Sequence, residues 1–210
     1  MTRDEMLQNV RTALGRSAGQ PCTEPPAVRL LIPEVSVEER IQKFSTALDA
    51  LAGHAFRAHS PDEAREYAVQ LLAGKSAIAS NAPLLRELGI TGIDGVRSGV
   101  YERDELRGLC ATADIGISGA DYALADTGSL VMLSSQEEAR LVSLLPPLHL
   151  AFVSKDRILT GLDELFTLLP IPAEKTSSMV LITGPSRTAD IEQILIRGVH
   201  GPGEVHVVVV

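Results

Sequence analysis

The stretch Pro61-Asp62-Glu63-Ala64-Arg65-Glu66-Tyr67-Ala68-Val69-Gln70-Leu71-Leu72-Ala73-Gly74-Lys75-Ser76-Ala77-Ile78-Ala79 decides the fold class. Pro61 followed by two acidic residues opens a helix, and Ala64, Tyr67, Ala68 and Leu71 recur on one helical face. Ala77-Ile78-Ala79 then reads as a short buried strand. The alternation continues outward. Upstream, Ser36 with Glu39 three residues later is a capping box for a helix carrying Ile41, Phe44, Leu48 and Leu51, ended by Gly53 and followed by a strand at Ala55-Phe56. Downstream the pattern predicts helices over residues 84–88, 103–111, 137–145, 162–169 and 188–197, and strands over 93–96, 114–117, 149–153, 179–183 and 205–210. Residues 122–133 are either two strands about a tight turn or a loop and one strand. Short apolar strands between amphipathic helices predict an α/β fold, an open mainly parallel sheet with helices on both faces.

A length of 210 residues suits one such domain plus an extension. The domain is expected over residues 36–210. Residues 1–35 read as an arm: a helix with Met6, Leu7, Val10 and Leu14, stopped at Gly15, then a Pro-rich linker over 16–33 expected to be weakly ordered. A net charge of −8 and 3% aromatic residues argue against a nucleic-acid partner, which needs a basic groove and stacking platforms. The charged start Met1-Thr2-Arg3-Asp4-Glu5 leads into no apolar signal region, and the longest apolar stretch, Leu141 to Val153, is broken by prolines. These features predict a cytoplasmic protein with no membrane segment. Cys22 and Cys110 are too few to hold zinc or an iron–sulfur cluster, so neither a metal nor a cofactor of its own is expected, and any redox centre belongs to a partner.

Four segments carry candidate chemistry. Met179 to Thr183 runs into Gly184-Pro185-Ser186-Arg187-Thr188, read as the start of a helix at the carboxyl edge of the sheet. Free N–H groups and the Arg187 fork there would bind a small anion. The plainer alternative is that Ser186 or Thr188 caps the helix while Asp190 and Glu192 pair with Arg187. Asp126-Thr127-Gly128 matches the aspartic-protease signature, but that mechanism needs two copies and this chain has one. Asp126 is then either a turn residue or a working carboxylate. In Arg140 to His149, Pro146 and Pro147 end a helix. If residues 134–147 cross between two parallel strands, His149 comes near the Asp126–Ser129 turn, where it could move a proton; a buried structural histidine is the alternative. Gly198-Val199-His200-Gly201-Pro202-Gly203 is a loop that lets backbone approach closely, with His200 its functional side chain. Glu204 and His206 make no compact metal motif with it. Gly74-Lys75-Ser76 lacks the first glycine of a P-loop, whose place Val69 occupies. The candidate catalytic residues are therefore Asp126, His149 and His200. The binding residues are Thr127, Gly128, Arg140, Gly184, Ser186, Arg187, Thr188 and Asp190.

The segment from Asp121 to Ser129, the run Arg140 to His149, the stretch Gly184 to Glu192 and Gly198-Val199-His200-Gly201-Pro202 together resemble the LutC/YkgG family of lactate utilisation proteins, the LUD domain. The resemblance covers residues 36–210. It implies a fold like that of ribose-5-phosphate isomerase and the CoA transferases. It also implies a part in oxidising L-lactate to pyruvate beside iron–sulfur partner proteins, consistent with the lack of cysteine clusters here. It supplies no chemical mechanism for this subunit. An independent enzyme acting on a phosphorylated sugar, acyl-CoA or related anion is the alternative.

Overall fold

The structure is a computed structural model and describes residues 1–20, 32–189 and 195–210. Residues 21–31 of the expected linker, Cys22 and Asp190 lie outside the described residues. The chain divides into two units, Met1–Leu30 and Leu31–Val210. In the first, helix α1 (Arg3–Ala13) opens with a reciprocal capping box between Thr2 and Glu5, and none of its residues is buried.

In the second unit the same local chemistry starts each long helix. The Ser36 hydroxyl accepts from Glu39 N at 3.2 Å and caps α2 (Val37–Ala50), which buries Ile41, Phe44 and Leu48. After β1 (His54–Arg57), Ser60 caps α3 (Pro61–Leu72), with Pro61 in the first turn, where its missing N–H is harmless. β2 (Ala77–Ala79), α4 (Pro83–Glu87), β3 (Val96–Arg97), α5 (Arg103–Thr112), β4 (Ile115–Gly119), β5 (Tyr122–Leu124), β6 (Ser129–Leu133), β7 (Leu148–Val153), β8 (Ile158–Leu159), α6 (Leu162–Leu168), β9 (Met179–Ile182), β10 (Arg187–Ala189), β11 (Leu195–Arg197) and β12 (Glu204–Val209) follow.

Six strands form a sheet in the order β1-β12-β7-β4-β2-β3, and every pairing in it is parallel. Alternate residues serve opposite faces. Ile115, Ile117, Leu150, Phe152 and Val208 pack under α3 and α4, against Ala64, Ala68, Leu85 and Leu88. Ala151, Val153, Val205, Val207 and Val209 meet Ile41, Phe44 and Leu48 of α2 together with Leu130 and Met132. Those last two belong to a second sheet, β8-β5-β6-β9, which covers part of this face, while α5 packs Leu106 and Cys110 against Ile78. Burying side chains such as Phe152 or Leu150 stabilises by about 1.5–3 kcal/mol each. The expected α/β class with a mainly parallel sheet and helices on both faces is what is observed.

Residues 122–133 form a hairpin, with β5 and β6 antiparallel about Asp126-Thr127-Gly128. Three sequence expectations fail. The described parts of residues 188–197 are strands rather than helix: β10 and β11 pair antiparallel, with Thr188 opposite Ile196, because short apolar runs fit a period of two as well as 3.6, and β-branched pairs favour strands. Gly184 to Thr188 therefore does not open a helix, and it follows β9 of the second sheet rather than a strand of the parallel one. Residues 137–145 form turns, since their polar groups are taken elsewhere: Asn81 N donates to Glu137 O, and Glu137 N and Glu138 N donate to the Ser135 hydroxyl.

Candidate functional site

The chain leaving β2 turns to one face of the parallel sheet through α4, whereas the chain leaving the neighbouring β4 turns to the other face into the β5–β6 hairpin. Ligands of open α/β sheets bind in the crevice where neighbouring strands part in this way. Here a cleft of about 530 Å³ lies at that point, reached by Gly119 at the end of β4, Ala120 and Asp121 just beyond it, Glu87 of α4, Glu138, and Arg157 after β7.

Glu138 is the most perturbed acid at the cleft. It is 8% exposed, and its Oε2 accepts from the Ser80 hydroxyl at 2.7 Å and from Gly119 N at 3.1 Å. Oε1 is buried and has no partner among the described residues. Loss of hydration pushes the carboxyl up to about 8, outweighing the two donors, and the charge of Asp121 raises it further. Glu138 is thus chiefly a neutral carboxylic acid at pH 7, able to donate or release a proton. Burial also raises Asp121, whose Oδ2 accepts from Leu133 N at 2.7 Å. Glu137 is bridged by Arg86 and Tyr101, each at 3.4 Å. Arg157 donates to the Tyr122 hydroxyl at 3.2 Å and lies over that ring. Asn81, next to Ser80, holds the loop before α5 through Gly99 N and Val100 O.

The residues singled out from sequence lie elsewhere. β6 and β7 belong to different sheets, so residues 134–147 are not a crossover between parallel neighbours, and the basis for pairing His149 with Asp126 falls. His149 is fully buried, with Nε2 2.7 Å from the Ser118 hydroxyl and Nδ1 unpartnered among the described residues. Burial, with the charge of Arg140, drives its pKa down to about 3. Arg140 itself bonds Ser143 at 3.3 Å. Asp126 and Thr127 are exposed in the hairpin turn, and Asp126 N donates to Thr160 O.

The glycine motifs do meet one another. The Ser129 hydroxyl bonds Thr183 at 2.8 Å, Ser186 N donates to Pro202 O, and Gly198 N donates to Ser186 O. Gly128, at φ +64°, passes so close to α2 that an added Cβ would lie 2.5 Å from Leu48 N. Arg187 sits opposite Arg197 across the β10–β11 hairpin, and both are exposed, as is His200. His206 instead bonds the Tyr67 hydroxyl at 2.7 Å, and no group of three His, Cys, Asp or Glu residues able to hold a metal occurs among the described residues. Cys110 is buried, its thiol pushed up to about 11 by lost hydration, which makes it a poor nucleophile.

The LUD domain family profile matches residues 41–210. The chain belongs to the LUD domain family. Among curated relatives of this LUD domain, Lactate utilization protein C of Halalkalibacterium halodurans is 33% identical over 149 residues, 67% of this chain and 65% of that protein. YkgG of Escherichia coli is 30% identical over 95% of this chain and 94% of its own length. Lactate utilization protein C of Anoxybacillus flavithermus is 28% identical with the same coverage. A crystal structure of a DUF162 family protein from Deinococcus radiodurans superposes with a TM-score of 0.64 at 18% identity, covering 84% of this chain and 99% of that one. That likeness bears on the fold of the LUD domain. Glu138, Asp121, Ser80 and Asn81 were not singled out from sequence. The available signal was position: Ser80-Asn81 directly follows the buried strand β2, and Asp121 comes two residues after the end of β4, where α/β ligand sites form.

Proposed function

We propose that this chain serves lactate utilisation in the cytoplasm, as the component without a redox centre beside iron–sulfur proteins that oxidise L-lactate to pyruvate. The observation that carries this reading is the match, across 94% of the relative's length, to a protein named Lactate utilization protein C. Two cysteines in the whole chain support the division of labour. A small anion has a place at the β10–β11 hairpin. Like charges directly opposite on paired strands repel, and an anion between Arg187 and Arg197, near Ser186, relieves that repulsion. Deletion should abolish growth on L-lactate but not on pyruvate, and the purified chain should reduce no electron acceptor with lactate. Normal growth of the deletion strain on lactate overturns the reading.

The neutral carboxyl of Glu138 at a cleft favours a second reading, an independent small-molecule enzyme. Turnover of a sugar phosphate or acyl-CoA by the isolated chain, with normal growth on lactate, would establish it.

A further inference from the structure

The geometry points to a phosphate-binding pocket at the carboxyl ends of β1 and β12, where Arg57, His59 and Lys155 converge, suited to inorganic phosphate or a small phosphomonoester. The pocket shares no residue with the cleft at β2 and β4, and it stands independently of the lactate reading.

The pocket holds about 220 Å³, and buried Ala58, Leu88 and Val209 give it an apolar floor. Its ionisable side chains are Arg57 at the end of β1, His59 in the connection to α3, and Lys155 in the turn after β7. No acid side chain lines it among the described residues. Main-chain hydrogen bonds fix where these donors are rooted. Ala58 N donates to Val209 O at 2.9 Å, Lys155 N to Val210 O at 2.7 Å, and Val210 N to Val153 O at 3.0 Å, so the chain leaving β1 and the chain leaving β7 are both tied to β12. Donors held this way lose less freedom on binding than donors on a loose loop. The start of α3 is not the basis of the site: the Ser60 hydroxyl already accepts from Glu63 N, and Glu63 accepts from His59 N.

A carboxylate beside the pocket already responds to this cluster. Arg57 donates to both oxygens of Glu38 from α2, and that hydrogen bonding, followed by the charges of Arg57, Lys155 and His59, holds the Glu38 carboxyl below its ordinary range. All three side chains thus favour negative charge at one place, in a chain whose net charge is −8. The pair with Glu38 uses part of the Arg57 fork, which leaves its other N–H groups, Lys155 and the His59 ring to a ligand. Phosphate suits such a set. It offers three acceptor oxygens and close to two negative charges to donors arriving from separate elements, where a carboxylate offers two oxygens and one charge. The apolar floor suits a short carbon body attached to it.

The test is calorimetry of the full chain with inorganic phosphate, glycerol phosphate and pyruvate, in an Arg187→Ala background so that no anion held at the β10–β11 hairpin contributes. Both phosphate compounds should bind this parent chain, and pyruvate should bind about tenfold more weakly or not at all. Adding Lys155→Ala should weaken phosphate binding by about tenfold, the loss of one charged donor. Adding Glu38→Gln removes the competing carboxylate while keeping its shape, and should strengthen binding by about threefold or more. Lys155 and Glu38 are both exposed, so neither change threatens the fold. A tighter hold on glycerol phosphate than on phosphate identifies a monoester as the occupant, and equal affinity identifies inorganic phosphate. Absence of phosphate binding by the parent chain overturns the inference, as does affinity that neither substitution moves. Pyruvate bound as tightly as phosphate overturns the choice of ligand.

Discussion

The two ends of the parallel sheet gather loops by different means. Near the amino ends of β7 and β12, main chain meets main chain: Gly203 N donates to Pro147 O, Ser186 N to Pro202 O, and Gly116 lies under the carbonyl of Val142. At the carboxyl ends of β2 and β4, side chains make the contacts, with Glu138 reaching in to Ser80 and to the backbone of Gly119. The glycine-dense end is closed by close packing. The other end leaves a cleft and a carboxyl group displaced from its usual range. Glycine-rich motifs in this chain thus mark where backbones must touch, while the perturbed acid arises only once the fold has buried it.

Substitution at glycine should separate the two ends most sharply. A Cβ at residue 116 would run into the Val142 carbonyl, so Gly116→Ala should lose about 3 kcal/mol or more of stability. At the cleft, a Cβ on Gly119 would meet the Ala82 side chain at 2.9 Å and no backbone atom, so Gly119→Ala should lose about 1–2 kcal/mol. Urea denaturation of both variants measures the contrast. Equal losses would show that residues 137–145 yield as readily as a side chain.

The two buried titrating groups give opposite pH dependences. His149 has a folded pKa of about 3 against an ordinary 6.5, so the unfolded chain binds more protons between these values. Its contribution is complete above pH 6.5 and lost as pH falls toward 3, and His206, lowered to about 4 chiefly by burial, adds in the same sense. Glu138 is raised from 4.5 to about 8, so the folded chain binds more protons between those values. Its contribution is complete below pH 4.5 and lost as pH rises through 8. Glu138→Gln should therefore gain stability relative to wild type on going from pH 5 to pH 8, by on the order of 2 kcal/mol or more. Denaturation midpoints of the two proteins that run parallel across this range would place the Glu138 pKa near its ordinary value.

The α/β class was legible because helix caps and apolar spacing are local. Ser36, Pro61 and the Ala64–Ala68 face do in the structure what their sequence context requires. The pairing of β10 with β11 was not legible as strands, since short apolar runs suit either period and pairing is decided by the partner strand. Glu138 was hidden for a different reason. Nothing in Ser135-Gln136-Glu137-Glu138 distinguishes the second glutamate from the first; Glu137 stays at the surface beside Arg86, and only tertiary contact with β2 and β4 buries its neighbour.

Ser80→Ala removes one of the two donors to Glu138 Oε2 and should lower stability at pH 7 by about 1 kcal/mol, with a further rise in the Glu138 pKa measurable by carboxyl NMR titration. An unchanged titration would assign control of that carboxyl to burial alone.

The smallest effect on stability is expected at the opposite end. Arg187 is exposed on β10, so Arg187→Ala should change stability by no more than about 0.5 kcal/mol. Relief of the repulsion with Arg197 would make even a slight gain in stability consistent with the hairpin pairing. If an anion is held there, the same variant should fail to restore growth on L-lactate to a deletion strain while accumulating at wild-type levels. Adding phosphate or pyruvate should then raise the thermal midpoint of wild type more than that of Arg187→Ala. Full restoration of growth, with identical responses to both anions, would reduce Arg187 to a solvated side chain.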